Sequence, residues 1–310
     1  MSSIEAIEAR DVLCAPAPAL SQNVAKIIAY DVFGIQGVFS PLQSERDQNI
    51  RIQCGNSESY VLKIANPAED TSVLAFQTAA LQHIANQDPT LPVPRVCRTT
   101  SGEDTWAITH DGQKHVVRLL TYLDGQPLSN CKSNPALRKN MGNLLARLGI
   151  ALRGFFHSAA GHELLWDLKR AAQLRDLLIH ISDTDKRSLA TGCLDDYEKN
   201  ILPMLNSLRA QVIHNDLNPD NTLVDSRDCS QLSGVIDFGD MVHSALINDL
   251  AVAAAYQLDV DNDPIDSVCE LVSAYHELLP LFKDELVLLP DLIRTRALMT
   301  VSISAWRSKN

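Results

Sequence analysis

The chain has 310 residues, and 38 acidic side chains against 27 basic ones give it a formal net charge of −11. This charge repels polyanions, so it argues against binding to nucleic acid and to an anionic membrane. The sequence also lacks a run of 18 apolar residues, which argues against a transmembrane helix.

The first part of the chain predicts a small antiparallel sheet. Ser21 fits a helix N-cap and Gly34 fits a stop, so we predict a helix between them. Short segments with strand-like side-chain patterns follow, at 37–42, 47–54, 60–64, 105–109 and 114–120. Gly55-Asn56 and Asp111-Gly112 are typical hairpin turns, and one helix is predicted over 70–85.

Beyond about residue 126 the pattern is mainly helical. Asn134 is a good N-cap with Pro135 at the first helical position, and apolar residues continue at helical spacing to Phe155. Further helices are predicted over 171–181, 193–208, 247–258, 265–279 and 286–306, with short β segments at 211–213, 222–224 and 234–236. We therefore predict an α+β protein with a β-rich N-lobe, 1–121, and a helical C-lobe, 122–310.

The seven cysteines are widely spaced, and none forms a Cys-x-x-Cys pair. The pattern is not typical of a disulfide framework or of a zinc knuckle, so we expect neither. A reducing compartment fits best, and we predict a cytoplasmic protein.

Two β segments end in loops that carry oxygen ligands. The first loop reads His-Asn-Asp-Leu-Asn-Pro-Asp-Asn over 214–221, and the second reads Asp-Phe-Gly-Asp over 237–240. Asp216, Asn221 and Asp237 would suit Mg²⁺, which takes one or two carboxylates together with substrate phosphates. A carboxylate that the metal does not use can accept a proton from an attacking hydroxyl, which is the layout that phosphoryl transfer requires.

His-x-Asp-x-x-x-x-Asn followed by Asp-Phe-Gly, downstream of a strand lysine, resembles the protein-kinase-like superfamily. The particular loop sequences resemble the aminoglycoside phosphotransferase and choline kinase family, whose members phosphorylate small molecules. Segments 41–49, 61–64 and 166–168 resemble the hydroxylysine kinase subgroup, and also kinase-like N-terminal domains fused to class III aminotransferases. The resemblance covers about 37–307 and implies a two-lobe kinase-like fold.

The resemblance also implies roles for individual residues. Asp216 would be the catalytic base, and Asn221 and Asp237 would hold Mg²⁺. Residues implied to bind the nucleotide, ATP or GTP, are Lys63 at the phosphates, Ser44 in the turn that covers them, Gln77 as the helix partner of Lys63, and the hinge residues Thr121, Tyr122 and Leu123. Residues considered for the substrate are Trp166, Asp167 and Asp240, although Trp166 could be a core residue, Asp167 a helix cap, and Asp240 a metal neighbour or turn acceptor.

The sequence departs from the family pattern at two places. Segment 43–47, where kinases have a glycine-rich phosphate loop, contains no glycine, so side chains such as Ser44 or Gln48 would have to contribute. The helix after Lys63 offers Gln77 where a glutamate is usual, which leaves Glu69 and Asp70 as alternative partners. His214 is expected to brace the catalytic loop.

We therefore expect a kinase that transfers the γ-phosphoryl group of ATP or GTP to a hydroxyl of an amine-bearing metabolite, hydroxylysine-like or an amino alcohol. Ten carboxylates and one basic residue over 241–291 could attract such a cationic acceptor. Two alternatives are an aminoglycoside O-phosphotransferase and a nucleotide-binding regulatory module of a class III aminotransferase fusion. Because the last predicted helix ends close to Asn310, we also expect the chain to be the N-terminal part of a longer protein with a fused C-terminal domain.

Overall fold

The computed structural model describes residues 15–55, 57–259 and 263–309. The helices and strands, in chain order, are α1 (Gln22–Phe33), β1 (Val38–Leu42), β2 (Gln48–Gln53), β3 (Ser59–Ile64), α2 (Thr71–Gln87), β4 (Val96–Cys97), β5 (Trp106–His110), β6 (Gln113–Thr121), β7 (Gln126–Pro127), α3 (Pro135–Ala151), α4 (Thr184–Asp196), α5 (Leu202–Leu205), β8 (Ala210–Ile213), β9 (Thr222–Val224), β10 (Leu232–Val235), β11 (Val242–Ala245), α6 (Leu246–Ala255), α7 (Pro264–Leu278) and α8 (Lys283–Arg307). The predicted α+β class is confirmed.

The N-lobe is an antiparallel sheet in the order β1-β2-β3-β6-β4, with β5 also paired to β6. Helix α1 begins at the Ser21 cap and ends at Gly34, which adopts the left-handed backbone that favours glycine. Its apolar face packs on the sheet through Ile28 and Phe33. Strand β3 pairs with β6 so that Lys63 lies directly opposite Arg118, and both side chains therefore leave the same face of the sheet.

The C-lobe packs its helices around one large apolar core, and two small sheets beside that core hold the 214–221 and 237–240 loops. One sheet pairs β8 with β11, and the other has the order β10-β9-β7. Helix α2 belongs to the N-lobe by chain order, yet its buried face, which includes Phe76 and Leu81, packs into the C-lobe core. This helix therefore connects the two lobes, and we call the region between the N-lobe sheet and the 214–221 and 237–240 loops the cleft.

Several predicted elements differ from the observed ones. The segment predicted as a helix over 171–181 consists of 3-10 turns, Leu168–His180, and the helix predicted over 193–208 begins nine residues earlier, at Thr184. Helix α3 begins at Asn134 and Pro135 as predicted but ends at Ala151, and Gly154 then takes a positive φ of 76°. Strands β4, β7 and β11 were not predicted. The turn predicted at Gly55-Asn56 includes Asn56, which lies outside the described residues.

The sequence predicts no disulfide framework, yet Cys131 and Cys229 are joined by a single bond. Cys131 follows β7, and Cys229 lies in the connection between β9 and β10. The pairing of β7 with β9 brings these segments together although they are 98 positions apart, so no local cysteine spacing could reveal the bond.

No helix in the described ranges is both long enough and apolar enough to cross a bilayer.

Candidate active site

A buried carboxylate holds the loop that follows β8. Asp249, in the first turn of α6, accepts hydrogen bonds from the backbone N–H groups of His214 at 3.3 Å and Asn215 at 2.7 Å. Asn215 has a positive φ of 67°, which is uncommon for a residue other than glycine and occurs often at functional sites. Burial raises the pKa of Asp249, and the His214 ring and the two N–H donors oppose this. The loop conformation therefore depends on Asp249.

His214 braces the same loop, as expected. Its Nδ1 atom accepts from the Asp216 N–H at 3.3 Å, so Nε2 carries the proton and donates to the Ile236 carbonyl at 3.2 Å. Its ring also lies edge-to-face against Phe238, with the centroids 4.8 Å apart. A single imidazole thus ties the 214–221 loop to the 237–240 loop.

The Asp216 carboxylate has partners on both oxygens. Oδ1 accepts from Nη2 of Arg296 at 2.8 Å, and Oδ2 accepts from the amides of Asn221 at 2.7 Å and Asn218 at 3.0 Å. Burial and the nearby Asp240 carboxylate raise the pKa of Asp216, the Arg296 cation lowers it, and the net value is about 6. Because each carboxylate oxygen has two lone pairs, Asp216 keeps capacity to accept a proton.

Asn221 and Asp237 bring two oxygens to the site. Asn221 donates through Nδ2 to the Asp216 side chain and backbone, while Asp237 uses Oδ1 to accept from the Gly239 N–H at 3.1 Å. Within the described residues, Asn221 Oδ1 and Asp237 Oδ2 take part in no hydrogen bond. Loss of solvation raises the pKa of Asp237, but the Lys63 and Arg46 cations lower it, and the net shift is downward.

These two oxygens fit the Mg²⁺ that the sequence resemblance implies. Among the described residues, no group of three or more His, Cys, Asp or Glu side chains is arranged to hold a metal ion. A donor set of one carboxylate and one amide oxygen, completed by substrate phosphates and water, is typical of Mg²⁺.

Lys63 and Gln77 do not pair as expected. The Lys63 ammonium lies 3.7 Å from Asp47, which was not among the candidate partners. Gln77 instead accepts from Nη1 of Arg118 at 3.0 Å and donates to the Gly239 carbonyl at 3.4 Å. Gln77 therefore links α2 to the 237–240 loop. Its partner is Arg118, where Lys63 was expected.

The alternative partners at the start of α2 have other roles. Asp70 caps the helix by accepting from the Ser72 N–H at 2.8 Å. Burial raises the pKa of Glu69, and the nearby cations Arg46 and Arg118 lower it. The positive charges that act on Glu69 therefore come from these two arginines.

The β1–β2 turn is ordered by its own side chains. Ser44 Oγ accepts from the Asp47 N–H at 3.3 Å, so Ser44 shapes the turn. The Gln48 amide is occupied by the Leu20 backbone, both bonds being 2.8 Å, and does not reach the cleft. Arg46 crosses the cleft and lies 2.5 Å from Asp240, which raises the pKa of Arg46.

The segment predicted as the hinge, 121–123, uses two of its three backbone N–H groups within the protein. Thr121 donates to the Arg95 carbonyl and Tyr122 to the Ser59 carbonyl, both at 2.9 Å. In the described part of the chain, Leu123 N–H makes no hydrogen bond. Of the three predicted hinge residues, Leu123 therefore has the backbone donor that a purine could meet.

Of the two tryptophan-loop residues, Trp166 lies at the site and Asp167 does not. The half-buried Trp166 ring stacks under the Arg296 guanidinium, whose central carbon is 4.7 Å from the ring centroid. Asp167 is fully buried, accepts from Ser244 Oγ at 2.8 Å and pairs with Lys169 at 3.2 Å. This arrangement favours the other role considered for Asp167, a cap, because its Oδ1 accepts from the Lys169 N–H at 3.2 Å at the start of the 3-10 turns.

Among the residues of the site that the sequence did not single out, Asp249, Arg46 and Arg296 differ in how far the sequence could have indicated them. Asp249 could have been noticed in the sequence, because it is a carboxylate within the most apolar helical stretch of the chain. Arg46 lies inside the segment that resembles the hydroxylysine kinase subgroup. The sequence does not indicate Arg296, because it lies 80 positions after Asp216 in an ordinary helical pattern.

The chain is similar to known proteins in its sequence. A family model described as the phosphotransferase enzyme family, APH, matches residues 38–281. Hydroxylysine kinase from Xenopus laevis is 28% identical over 293 residues, which cover 86% of this chain and 78% of that protein.

Two solved structures show the same fold. Amicoumacin kinase hAmiN, in complex with AMP-PNP, Ca²⁺ and Ami, is 14% identical with a TM-score of 0.73, and the match covers 97% of this chain and 88% of that one. A microcompartment-associated aminopropanol kinase is 17% identical with a TM-score of 0.65, covering 92% and 89%.

Proposed function

The chain belongs to the APH phosphotransferase enzyme family, and from this premise we propose that it phosphorylates a hydroxyl of a small, amine-bearing alcohol. Hydroxylysine is the leading acceptor, because the Xenopus laevis relative is a hydroxylysine kinase. The observation that carries the proposal is the position of Asp216, which is hydrogen-bonded to Asn221 and lies in the same cleft as Asp237. A base therefore lies next to the oxygens that would hold the metal.

The reaction follows from this arrangement. Asp216 accepts the proton of the acceptor hydroxyl as that oxygen attacks the γ-phosphorus of ATP. The bond from the γ-phosphorus to the β–γ bridging oxygen breaks, and ADP leaves with the electron pair. A pKa of about 6 keeps Asp216 largely ionised, and therefore able to accept a proton, at neutral pH.

The donor and the metal have separate support. Asn221 and Asp237 would hold Mg²⁺, which when bound would neutralise charge on the phosphates. Lys63 is proposed to contact the phosphates, and Leu123 to meet the purine at the hinge where β6 ends. We place the boundary of the lobes there, between 121 and 122. ATP is the proposed donor, and GTP, which the sequence left open, has no support.

Asp240 and Trp166 are the proposed acceptor contacts. Asp240 is close enough to Asp216 to raise its pKa, so an amine bound to Asp240 would bring a nearby hydroxyl towards the base. The half-buried Trp166 ring stacks on Arg296, and Arg296 donates a hydrogen bond to Asp216, so this ring also lies near the proposed base. The 241–291 region is rich in carboxylates, so we expect it to attract cations, and a protonated amine on the acceptor is such a cation.

The two alternatives have weaker support. An aminoglycoside acceptor rests on structures that share the fold at low identity, such as a spectinomycin phosphotransferase that is 11% identical with a TM-score of 0.60. A regulatory module would not need the Asp216 arrangement, and the comparisons give no support to a fused C-terminal domain. For location we propose the cytoplasm, where ATP is supplied, although the Cys131–Cys229 bond favours an oxidising compartment.

The test is a panel of acceptors with purified protein, Mg²⁺ and ATP, in which ADP formation is measured. The panel holds 5-hydroxylysine, lysine as the matched compound without the hydroxyl, 1-amino-2-propanol, homoserine and two aminoglycosides. We expect turnover with 5-hydroxylysine and none with lysine. Turnover with aminoglycosides alone would replace the proposed acceptor, and ADP formation with no member of the panel would contradict the proposal.

A further inference from the structure

One ion pair closes the cleft from the phosphate side. Arg46 belongs to the turn between β1 and β2 in the N-lobe, and Asp240 belongs to the loop after β10 in the C-lobe. Their side chains meet at 2.5 Å, with the Asp240 side chain only 8% exposed and the Arg46 side chain 24% exposed. The pair therefore joins the lobes at the place where a nucleotide's phosphates would enter.

The surroundings of Arg46 are acidic. Asp240, Asp237 and Glu69 all act on its guanidinium as nearby negative charges. Asp237 is also a proposed metal ligand, so the arginine cation lies where a metal–phosphate complex would place its own positive charge. Nucleotide phosphates carry negative charge of their own, so they can compete with these carboxylates for the Arg46 guanidinium whether or not a metal ion is bound.

The turn has no other cation to offer a phosphate. Segment 43–48 reads Gln-Ser-Glu-Arg-Asp-Gln, so Arg46 is its single basic residue. Ser44 and Gln48 are occupied by the turn itself and by Leu20. Arginine binds phosphate through paired N–H donors. Arg46 could therefore supply the hydrogen-bond donors that backbone N–H groups supply in a glycine-rich loop.

The backbone around Arg46 is anchored, so its side chain can move without refolding the turn. The buried Asn66 donates through Nδ2 to the Arg46 carbonyl at 3.2 Å. Its backbone N–H donates to Asp47 Oδ1 at 3.1 Å, on the next residue of the turn. The Arg46 side chain therefore needs only to rotate in order to leave Asp240 and meet a phosphate in the cleft.

We propose that Arg46 exchanges partners when nucleotide binds: it pairs with Asp240 in the free protein and with the nucleotide phosphates in the complex. The exchange rests on the proposed function, and it makes Asp240 available to the acceptor only after nucleotide has bound. Arg46 is thereby the phosphate-binding side chain of a turn without glycine.

A double-mutant cycle tests the exchange by calorimetric binding of ADP and of adenosine, both with EDTA so that no metal contributes. R46M should weaken ADP binding about tenfold, the value of a charge-assisted hydrogen bond, and leave adenosine binding unchanged. D240N should tighten ADP binding, because Arg46 no longer has to leave a carboxylate. In the R46M/D240N protein that gain should be much smaller. R98M, which breaks an exposed pair with Asp104 on the same lobe, is the matched control and should bind like the parent.

Unchanged ADP affinity in R46M would overturn the role of Arg46. If D240N increases ADP affinity equally in the parent and in the R46M protein, the role of Arg46 is also overturned. That result would indicate only that the Asp240 carboxylate repels the phosphates. Failure of the parent protein to bind both ADP and adenosine would overturn the proposed function itself and the exchange with it. Adenosine binding in every variant reports that the protein is folded.

Discussion

Nη2 of Arg296 donates a hydrogen bond to Oδ1 of Asp216 at 2.8 Å, from a guanidinium that is almost fully buried. Trp166 and Tyr256 lie against that guanidinium, and Tyr256 Oη is 3.3 Å from the same nitrogen. Helix α8 thus holds the proposed base from the side opposite the Asn221 amide. The pair fixes the direction of the carboxylate and also lowers the pKa that burial raises.

Removal of the Arg296 charge should move the pH dependence of the reaction. Asp216 must be ionised to accept a proton, so kcat/KM of the parent should fall as the pH decreases through about 6. In R296M the raising effects of burial and Asp240 remain without the opposing cation, so the fall should begin at a higher pH. R296K retains a charge and should shift less.

The measurement is the pH profile of kcat/KM for the three proteins. R294M is the matched control on the same helix, because Arg294 pairs with Asp196 and Asp291 at the surface. An acid limb at the same pH in R296M and in the parent would show that Arg296 does not control the protonation of Asp216.

D249N should lower the stability of the protein and its turnover together. The Asp249 carboxylate accepts from two backbone N–H groups, and an amide there would turn one donor towards another. Leaving a buried donor without an acceptor costs about 1–3 kcal/mol of unfolding free energy. Denaturant unfolding measures the cost, and D266N, at the exposed start of α7, is the control. Parent-like stability of D249N would mean that the loop does not depend on this carboxylate.

The two loops of the candidate site can be recognised from the sequence because each is a short, continuous run of polar residues. Asp216 and Asn221 lie within one turn, and Asp237 follows the next strand but one, so their proximity can be read without the fold. The residues that hold the 214–221 loop cannot be read in the same way. Arg296 and Asp249 reach it from α8 and α6, and only tertiary packing decides that.

The same distinction applies to the fold. Helix α1 and the β5–β6 hairpin carry local caps, turns and periodicity, and their predicted bounds are close to the observed ones. Strands β4 and β7 are two residues long, too short for any periodicity, and exist because a neighbouring strand pairs with them. The Gln77–Arg118 pair was missed for a similar reason, since Arg118 meets α2 only through the register of β6 on β3.

D237N should raise the Mg²⁺ requirement of nucleotide binding. The substitution keeps the shape of the side chain but removes the charge of the single proposed carboxylate ligand. We expect the Mg²⁺ concentration that gives half-maximal AMP-PNP binding to rise by about tenfold or more. Metal-free ADP binding, measured in parallel, should not weaken. An unchanged Mg²⁺ titration would remove Asp237 from the metal site.

Reduction of the Cys131–Cys229 bond should destabilise the C-lobe. The bond closes a loop of 98 positions, and its loss should lower the unfolding free energy by about 2–4 kcal/mol. Denaturant unfolding of the parent with and without dithiothreitol measures this loss. C193S, which replaces a free cysteine, is the control and should respond to reductant like the parent. An unfolding free energy that does not respond to reductant would mean that the cysteines are not joined in solution.

The most direct test of the central claim follows the phosphoryl group from ATP to 5-hydroxylysine by ³¹P NMR, in the parent protein and in D216N. The parent should produce a phosphomonoester together with ADP. D216N should lose about 10²–10⁴-fold in rate while its affinity for AMP-PNP changes little, because the base meets the acceptor hydroxyl and not the nucleotide. Phosphomonoester formation at the parental rate in D216N would contradict the assignment of Asp216 as the base.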